Sequence, residues 1–214
     1  ARVQTAAVGA VRSCPGGGLV DGAFRDAALA MFRQLAVRAP RQDAHGAVRM
    51  HWTPGHVDPQ GQAWYQVQAY QANLSVVQVL RIDPTLAPLV ADWLRWQSRH
   101  LSAVGPGQGV VFDHWLRAAD LQVAVCPPAP AGPCPFVEAY DSTAASMLMV
   151  ADSYLAAAGD VAVLRETAVR AALRASAATM AALRQADGLT WAKPDYPVAY
   201  LMDAVEVAAG ALVV

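Results

Sequence analysis

Hydrophobic residues recur along most of the chain at intervals of three and four positions, the spacing that places side chains on one face of an α-helix. Strand patterns are almost absent, because β-branched residues rarely alternate with polar ones and no Asn-Gly or Asp-Gly pair separates two such runs. The pattern predicts an all-α fold of about six helices. We expect a single domain over residues 1–214, in which residues 1–19 form an irregular N-terminal segment.

Proline and aspartate positions predict where the first three helices begin and end. The first covers about residues 20–39, because the residue before Pro40 disfavours the helical conformation. The second begins after Asp58, which would cap it, with a proline at the first helical position. Asp83, also followed by proline, repeats that signal and starts a third helix that runs to about Leu101.

The last three helices are bounded by similar signals. The fourth follows Ser142 and ends at Gly159, a residue suited to the left-handed conformation at a helix terminus. Asp160 caps a fifth helix of about 25 residues. Pro197 opens a sixth helix, which runs to the end of the sequence.

The connections between these helices alternate in length. Very short links join the second helix to the third and the fourth to the fifth, so each pair forms a tight antiparallel hairpin, and the two hairpins form a weak internal repeat. The other links are long and cover residues 40–58, 102–142 and 187–196. We expect the long links to meet on one rim and to wall a common cavity.

The composition excludes several classes of function. Lys and Arg number 16 against 17 Asp and Glu, and the net charge of -1 gives no electrostatic attraction to nucleic acid or to an anionic membrane. No apolar stretch reaches the roughly 18 residues that span a bilayer. Asp152 divides the most hydrophobic segment, and Glu206 divides the last one. We therefore expect neither nucleic-acid binding nor a membrane span.

The cysteines and the first residue bear on the compartment. Cys126 and Cys134 enclose a Pro-rich segment that is neither helix nor strand, and a local disulfide would stabilise this loop. Two unpaired thiols in a reducing compartment are the alternative. The sequence starts at Ala1 without an initiator Met, as a mature protein does after signal cleavage, although a trimmed sequence would look the same. We expect a secreted or periplasmic protein.

No motif for a metal or a cofactor stands out. Neither a second Cys pair nor a His pair follows Cys126 and Cys134 at ligand spacing, so the sequence does not predict a zinc site. The glycines at positions 16–18 lack the Lys and the Ser or Thr of a phosphate-binding loop. We therefore expect no metal and no cofactor.

Two stretches resemble the six-hairpin glycosidase superfamily. The run YDSTAAS at residues 140–146, followed by ADSYL at 151–155 and by Gly-Asp at 159–160, resembles an inner helix of those enzymes. The run DGLTW at 187–191, with YLMDAVE at 200–206, resembles the next loop and inner helix. The resemblance covers about residues 136–214. It implies a toroid of α/α hairpins, of which this chain would hold about half the helices, and it implies glycoside-bond chemistry.

Glycoside hydrolysis needs two carboxyl groups at the scissile bond, one acting as acid and the other as base or nucleophile. Asp113 lies between an aromatic residue and His114, a setting that can raise a carboxyl pKa, although it could equally close a turn or cap a helix. Asp141 and Glu138 come just before the fourth helix, whose dipole would lower their pKa, and Asp141 could simply cap that helix. We predict Asp113 and Asp141 as the catalytic pair.

Aromatic and polar residues near the long links are candidates for binding sugar hydroxyls and ring faces. Asp203 and Glu206 share one helix face and could point together into the cavity, although solvated charges would show the same spacing. The predicted sugar-binding residues are Trp52, His114, Trp115, Glu138, Tyr140, Trp191, Asp195, Tyr200, Asp203 and Glu206. The amides of the second helix could also bind hydroxyls if they faced inward, although glutamines more often cover a helix exterior; they are Gln60, Gln62, Gln66, Gln68, Gln71 and Gln78, with Asn73.

The sequence thus predicts a glycosidase-like protein that acts on a polysaccharide or an oligosaccharide. A non-catalytic glycan-binding module and a helical scaffold for proteins are the alternatives. The apolar residues 205–214 lack a helix-terminating signal. We expect a second copy of the chain, another partner or a missing chain segment to cover that last helix.

Overall fold

The structure, a computed structural model, describes residues 22–102 and 109–212. Cys14 and the expected irregular segment over residues 1–19 lie outside the described residues. The described helices are α1 (Gly22–Leu35), α2 (Ala69–Ile82), α3 (Ala87–His100), α4 (Tyr140–Ala158), α5 (Ala162–Arg165), α6 (Thr167–Leu183) and α7 (Leu201–Ala211). The described strands are β1 (His56–Val57), β2 (Ala63–Val67), β3 (His114–Arg117) and β4 (Val123–Ala124), and they form one antiparallel sheet in that order.

The expectation of an all-α half-toroid is wrong, because a four-stranded sheet packs against the helices. Two of the expected long links contain its strands. The chain segment over residues 63–67, predicted as helix, is strand β2 and pairs with β1 and β3. Its Trp, Tyr and Val residues favour strands, but the partner strand β3 lies about 50 positions further along the chain, so local periodicity did not show the pairing.

Asp58 closes a turn before β2 instead of capping a helix. Its Oδ1 accepts hydrogen bonds from the backbone N–H groups of Gln60 and Gln62, at 2.9 and 2.8 Å. Its Oδ2 accepts a third from Trp64 Nε1 at 3.0 Å. The acidic side chain thus uses the same acceptor chemistry as a helix cap to begin a strand.

Side chains alternate between the two faces of the sheet, as the strand period of two requires. We call the side that packs on the helices the inner face; it carries Tyr65, Val67, His114 and Leu116. We call the opposite side the outer face; it carries Trp64, Gln66, Trp115 and Arg117. Gln66 lies directly opposite Trp115 across the β2–β3 ladder.

The helix boundaries confirm some expectations and correct others. The Asp83 carboxylate accepts from the Thr85 N–H at the start of the third helical segment, and α4 ends at Gly159 with a φ of 61°, both as predicted. The first helix ends at Leu35, before the expected position. The expected fifth helix is divided at Glu166, whose backbone ψ of 133° separates α5 from α6. The last helix begins at Leu201, later than Pro197.

Helix α4 lies at the centre of the molecule and contacts α2, α3, α6 and α7. Every residue from Asp141 to Leu148 is buried, so this helix has no solvent-facing side over its first two turns. Small residues such as Ala144 and Ala145 allow the neighbouring helices to approach from several sides. The arrangement is a cluster around one helix, and it places the start of α4 beside α2 and α7.

The buried amide of Asn73 joins three helices. Asn73 lies on α2 and is fully buried. Its Nδ2 donates to Ser146 Oγ on α4 at 3.0 Å, and its Oδ1 accepts from Trp93 Nε1 on α3 at 2.8 Å. Because Trp93 is also buried, loss of this amide would leave its indole N–H without a hydrogen bond in the core.

Gly210 sets the closest approach of α7 to α4. A Cβ atom at this position would lie 2.9 Å from the backbone oxygen of Ala145 and 3.0 Å from its Cβ. The glycine is therefore needed for packing and not for an unusual φ. The close approach brings the polar residues of α7 to the first turns of α4.

Two further observations concern the surface. Cys126 and Cys134 form a disulfide that closes the Pro-rich loop, as the spacing favoured. Among the described residues, no helix combines the length and the apolar character needed to cross a bilayer. Helix α7 exposes apolar side chains, with Leu201 83% exposed, and the partner expected to cover them stays a prediction.

We expect Asn73→Ala to lower the free energy of unfolding by about 1–3 kcal/mol, because it leaves the Trp93 indole N–H unpaired in the core. The Ser146 hydroxyl keeps its hydrogen bond to the Thr143 carbonyl. Urea denaturation measures this change. Ser75→Ala is the matched control, since Ser75 is exposed on the same helix and bonds only to the Gln71 carbonyl. Equal stability of the two variants would contradict the role given to Asn73.

We expect Gly210→Ala to lower the free energy of unfolding by about 1–3 kcal/mol, because the added methyl group forces α7 away from α4. Intrinsic helix propensity predicts the opposite sign, a gain of about 1 kcal/mol. Gly22→Ala is the control, because a Cβ at Gly22 meets no atom within 4 Å. A stabilised Gly210→Ala variant would show that the helices do not touch as described.

Candidate functional site

A cavity of about 650 Å³ lies where the start of α4 meets the start of α7. Tyr70 from α2, Ser142 from α4 and Asp203 from α7 contribute to its wall. Glu138 and Lys193, from the two connections before these helices, complete the polar lining. We call this space the large cavity. The expected rim of long links is thus partly present, because two of the three links supply lining residues.

Asp203 is the most unusual titratable group of the large cavity. It is only 4% exposed, and its Oδ2 atom has no hydrogen-bond partner among the described residues. Burial raises the pKa of Asp203 to about 6, and the negative charges of Asp141, Glu206 and Glu138 add to the rise, while the Ser142 side chain lowers it in part. This carboxyl group is therefore half protonated at about pH 6, well above the usual range for an aspartate.

Glu206 follows Asp203 by one helical turn and lies behind the cavity wall. The Tyr70 hydroxyl donates to Glu206 Oε1 at 2.7 Å, and Oε2 is buried without a partner among the described residues. Burial raises the pKa of Tyr70, and the hydrogen bond to Glu206 raises it further. Tyr70 therefore stays protonated and fixes the position of the glutamate.

Asp141 is buried in the wall and does not line the large cavity. Its Oδ1 accepts from the Ser142 N–H at 2.8 Å, and its Oδ2 accepts from Thr190 Oγ1 at 2.7 Å. Burial raises the pKa of Asp141, with a contribution from Glu206, so the expectation that the helix dipole lowers it is wrong. The bond to Thr190, together with the Tyr140 N–H donating to the Ala192 carbonyl, ties the 187–200 connection to α4.

Glu138 is exposed at the edge of the large cavity, immediately before α4. Lys193 lies on the same edge, with its Nζ atom 5.1 Å from the centre of the Phe136 ring. The hydroxyl groups of Tyr196 and Tyr200 are 3.1 Å apart, and both tyrosines also contribute to the lining. The edge of the cavity therefore combines a carboxyl group, an amine and two phenols.

Asp113 lies in a separate cavity of about 210 Å³ on the outer face of the sheet. We call this space the small cavity. Asp113 Oδ2 accepts hydrogen bonds from Gln66 Nε2 at 2.9 Å and Gln68 Nε2 at 3.0 Å. Burial raises the pKa of Asp113, the two amides lower it in part, and the charge of Glu138 adds to the rise. The two residues predicted as a catalytic pair, Asp113 and Asp141, do not line a common cavity.

His114 and Trp115 point to opposite faces of the sheet. His114 is buried on the inner face, with its ring edge-on to Trp96 at 5.2 Å and to His100 at 5.0 Å. Burial lowers the pKa of His114 to about 4. Trp115 lies on the outer face and lines the small cavity together with His56. Of the two residues, only Trp115 lines one of the two cavities.

The other predicted binding residues take varied positions. Tyr200 lines the large cavity, as expected. Trp52 is 61% exposed and lines neither cavity. Trp191 is half-buried and Asp195 is exposed, and both lie outside the two linings. Tyr140 packs edge-on against Phe112, with ring centres 6.1 Å apart.

Sequence patterns did not single out Tyr70 as a site residue, and they left the role of Gln66 and Gln68 open. Tyr70 lies on a face of α2 that could be identified only once the start of that helix was known. The two glutamines flank Val67 at a spacing of two, which is the period of a strand. That alternation was the signal that could have placed both amides on one face.

Among the residues that the structure describes, no group of three or more His, Cys, Asp or Glu side chains is arranged to hold a metal ion.

The chain matches no protein-family model, and no curated protein or solved structure shows significant similarity to it.

Proposed function

We propose that this protein hydrolyses glycosidic bonds in the large cavity, with Asp203 as the general acid and Glu138 as the second carboxyl group. The observation that carries the proposal is the buried carboxyl of Asp203, which lines a cavity of suitable size and has a pKa raised to about 6. A pKa near the working pH is the property that a general acid needs.

The environment of Asp203 supports its role as a proton donor. Burial and the neighbouring charges of Asp141 and Glu206 both favour the protonated form. Tyr70 holds Glu206 in place, and Thr190 holds Asp141 in place. Asp141, Thr190 and Glu206 lie outside the lining of the large cavity, whereas Tyr70 contributes to its wall. All four are positioning residues that keep the Asp203 proton available to a bound ligand.

Glu138 supports the role of base or nucleophile because it lines the same cavity and is exposed. In the reaction, Asp203 gives its proton to the glycosidic oxygen while the bond from that oxygen to the anomeric carbon breaks. The bonding electron pair leaves with the oxygen. Glu138 attacks the anomeric carbon or removes a proton from the attacking water, and water supplies the new hydroxyl group.

The resemblance of residues 136–214 to the six-hairpin glycosidase superfamily also supports the proposal. Glu138, Lys193 and Asp203 all fall within that stretch and line one cavity. From the resemblance we propose only the glycoside-bond chemistry, because the four-stranded sheet contradicts the toroid fold that it also implied.

We also propose that the protein works in an oxidising compartment outside the cytoplasm. The Cys126–Cys134 disulfide supports this placement, since such bonds persist mainly in secreted and periplasmic proteins.

We expect Asp203→Asn and Glu138→Gln each to reduce hydrolysis at least ~10²-fold, because each removes one of the two carboxyl groups. Release of reducing ends from neutral α- and β-linked glucans, mannans and galactans measures this. We expect the wild-type activity to fall as the pH rises through about 6, because Asp203 then loses the proton that it donates.

Asp152→Asn is the matched control, because Asp152 is exposed on α4 and outside the large cavity. Wild-type turnover in Asp203→Asn would overturn the assignment of the acid. Sugar binding without any hydrolysis by the wild-type protein would favour the non-catalytic glycan-binding module instead.

A further inference from the structure

The small cavity is built from the outer face of the sheet and the disulfide-closed loop. Gln66 and Trp115, opposite each other on β2 and β3, form its floor. Cys134 and the prolines of the loop form the facing wall. Neighbouring strands hold the floor through backbone hydrogen bonds, so its side chains keep fixed positions.

Trp115 offers this cavity an aromatic surface of the kind that packs on sugar rings. The ring of His56 meets it edge-on, with centres 5.9 Å apart. His56 Nε2 is also 2.9 Å from the Pro128 carbonyl, which links β1 to the loop. His56, itself tied to the loop, thus packs against one side of the indole, which stays half-buried with part of its surface available. An aromatic surface that is held in place binds a ligand at a low cost in side-chain entropy.

Asp113 gives the cavity a polar group of fixed orientation. The side chain is only 7% exposed, yet it lines the cavity. Both of its amide donors bond to the same oxygen, Oδ2. A carboxyl group held in this way can accept hydrogen bonds from ligand hydroxyl groups through its other oxygen.

The small and large cavities are neighbours along one segment of chain. Phe136 lines the small cavity and Glu138, two residues later, lines the large one. Lys193, which lines the large cavity, lies over the Phe136 ring. The charge of Glu138 also acts on both Asp113 and Asp203. The two linings are therefore adjacent at residues 136–138.

The charges of the two linings disfavour an acidic ligand. Besides Asp203, which the proposed function holds protonated, the carboxylates of Glu138 and Asp113 line the large and the small cavity. Lys193 is the only lysine or arginine that the described part of the chain contributes to either lining. A carboxylate on the ligand would meet repulsion that this one amine does not balance.

We infer that the small cavity binds one ring of an uncharged oligosaccharide by packing it on Trp115 and bonding it to Asp113, while the adjoining unit lies in the large cavity. The inference rests on the proposed function and adds a substrate class to it, namely neutral glycans of two or more units. Short ligands occupy the large cavity only.

Calorimetric titration tests the inference with glucose, mannose and galactose and with the neutral disaccharides and trisaccharides of each. The wild-type protein is expected to bind its preferred trisaccharide more tightly than the matching monosaccharide. In Trp115→Ala we expect the ratio of these two affinities to fall about tenfold or more, because the variant loses the aromatic contact with the sugar ring in the small cavity. Trp52→Ala, which removes an exposed tryptophan outside both cavities, leaves the ratio unchanged.

A measurement on the wild-type protein covers the case in which Trp115→Ala does not fold. The indole N–H signal of Trp115, assigned with Trp115→Phe, is expected to shift on adding the trisaccharide and not on adding the monosaccharide. An unchanged signal, or an unchanged affinity ratio in Trp115→Ala, overturns the inference and leaves the proposed function standing. Absence of binding to any neutral sugar overturns both. Tighter binding of a uronic-acid trisaccharide than of its neutral counterpart overturns the assignment of the substrate class.

Discussion

The buried amide of Asn73 is the interaction on which the arrangement of this molecule most depends. From α2, its Oδ1 accepts from the Trp93 indole N–H on α3, and its Nδ2 donates to the Ser146 hydroxyl on α4. One buried side chain therefore connects three helices within the core. Buried polar groups specify the mutual position of helices because few alternative arrangements satisfy them all. Tyr70 lies one turn before Asn73 on α2 and reaches Glu206 on α7. The core contact thus also determines where the phenol meets the last helix.

The chemistry of the large cavity follows from this close packing of helix ends. Asp141 and Asp203 are brought together in buried positions, where burial and neighbouring negative charges raise the pKa of both carboxyl groups. Hydrogen bonds satisfy Asp141 through Ser142 and Thr190, whereas Asp203 Oδ2 lacks a partner among the described residues. The rise in pKa is therefore concentrated at the one buried carboxyl group that also lines the cavity. The same packing that stabilises α4 and α7 against each other prepares a proton donor.

Local signals predicted much of the helical structure, and long-range pairing explains most of what they missed. The caps at Asp83 and Gly159 depend on nearby residues, so their positions could be derived from the sequence. The pairing of residues 63–67 with residues 114–117 depends on residues about 50 positions apart, and no local period reveals it. Asp203 was recognised as a polar candidate, but its proposed role as acid depends on burial by α4, which composition and spacing do not report. Asp113 and Asp141 looked equivalent in sequence and lie in different environments.

The proposed hydrolysis depends above all on a raised pKa of the Asp203 carboxyl group. An NMR titration of the aspartate side-chain carboxyl carbons measures this directly in the wild-type protein, with Asp203→Asn to assign the signal. We expect one aspartate that titrates at about pH 6 and whose signal is absent from the variant. If the signal assigned to Asp203 titrates near the ordinary aspartate value of about 4, the site has no general acid at this position and the proposed mechanism is contradicted.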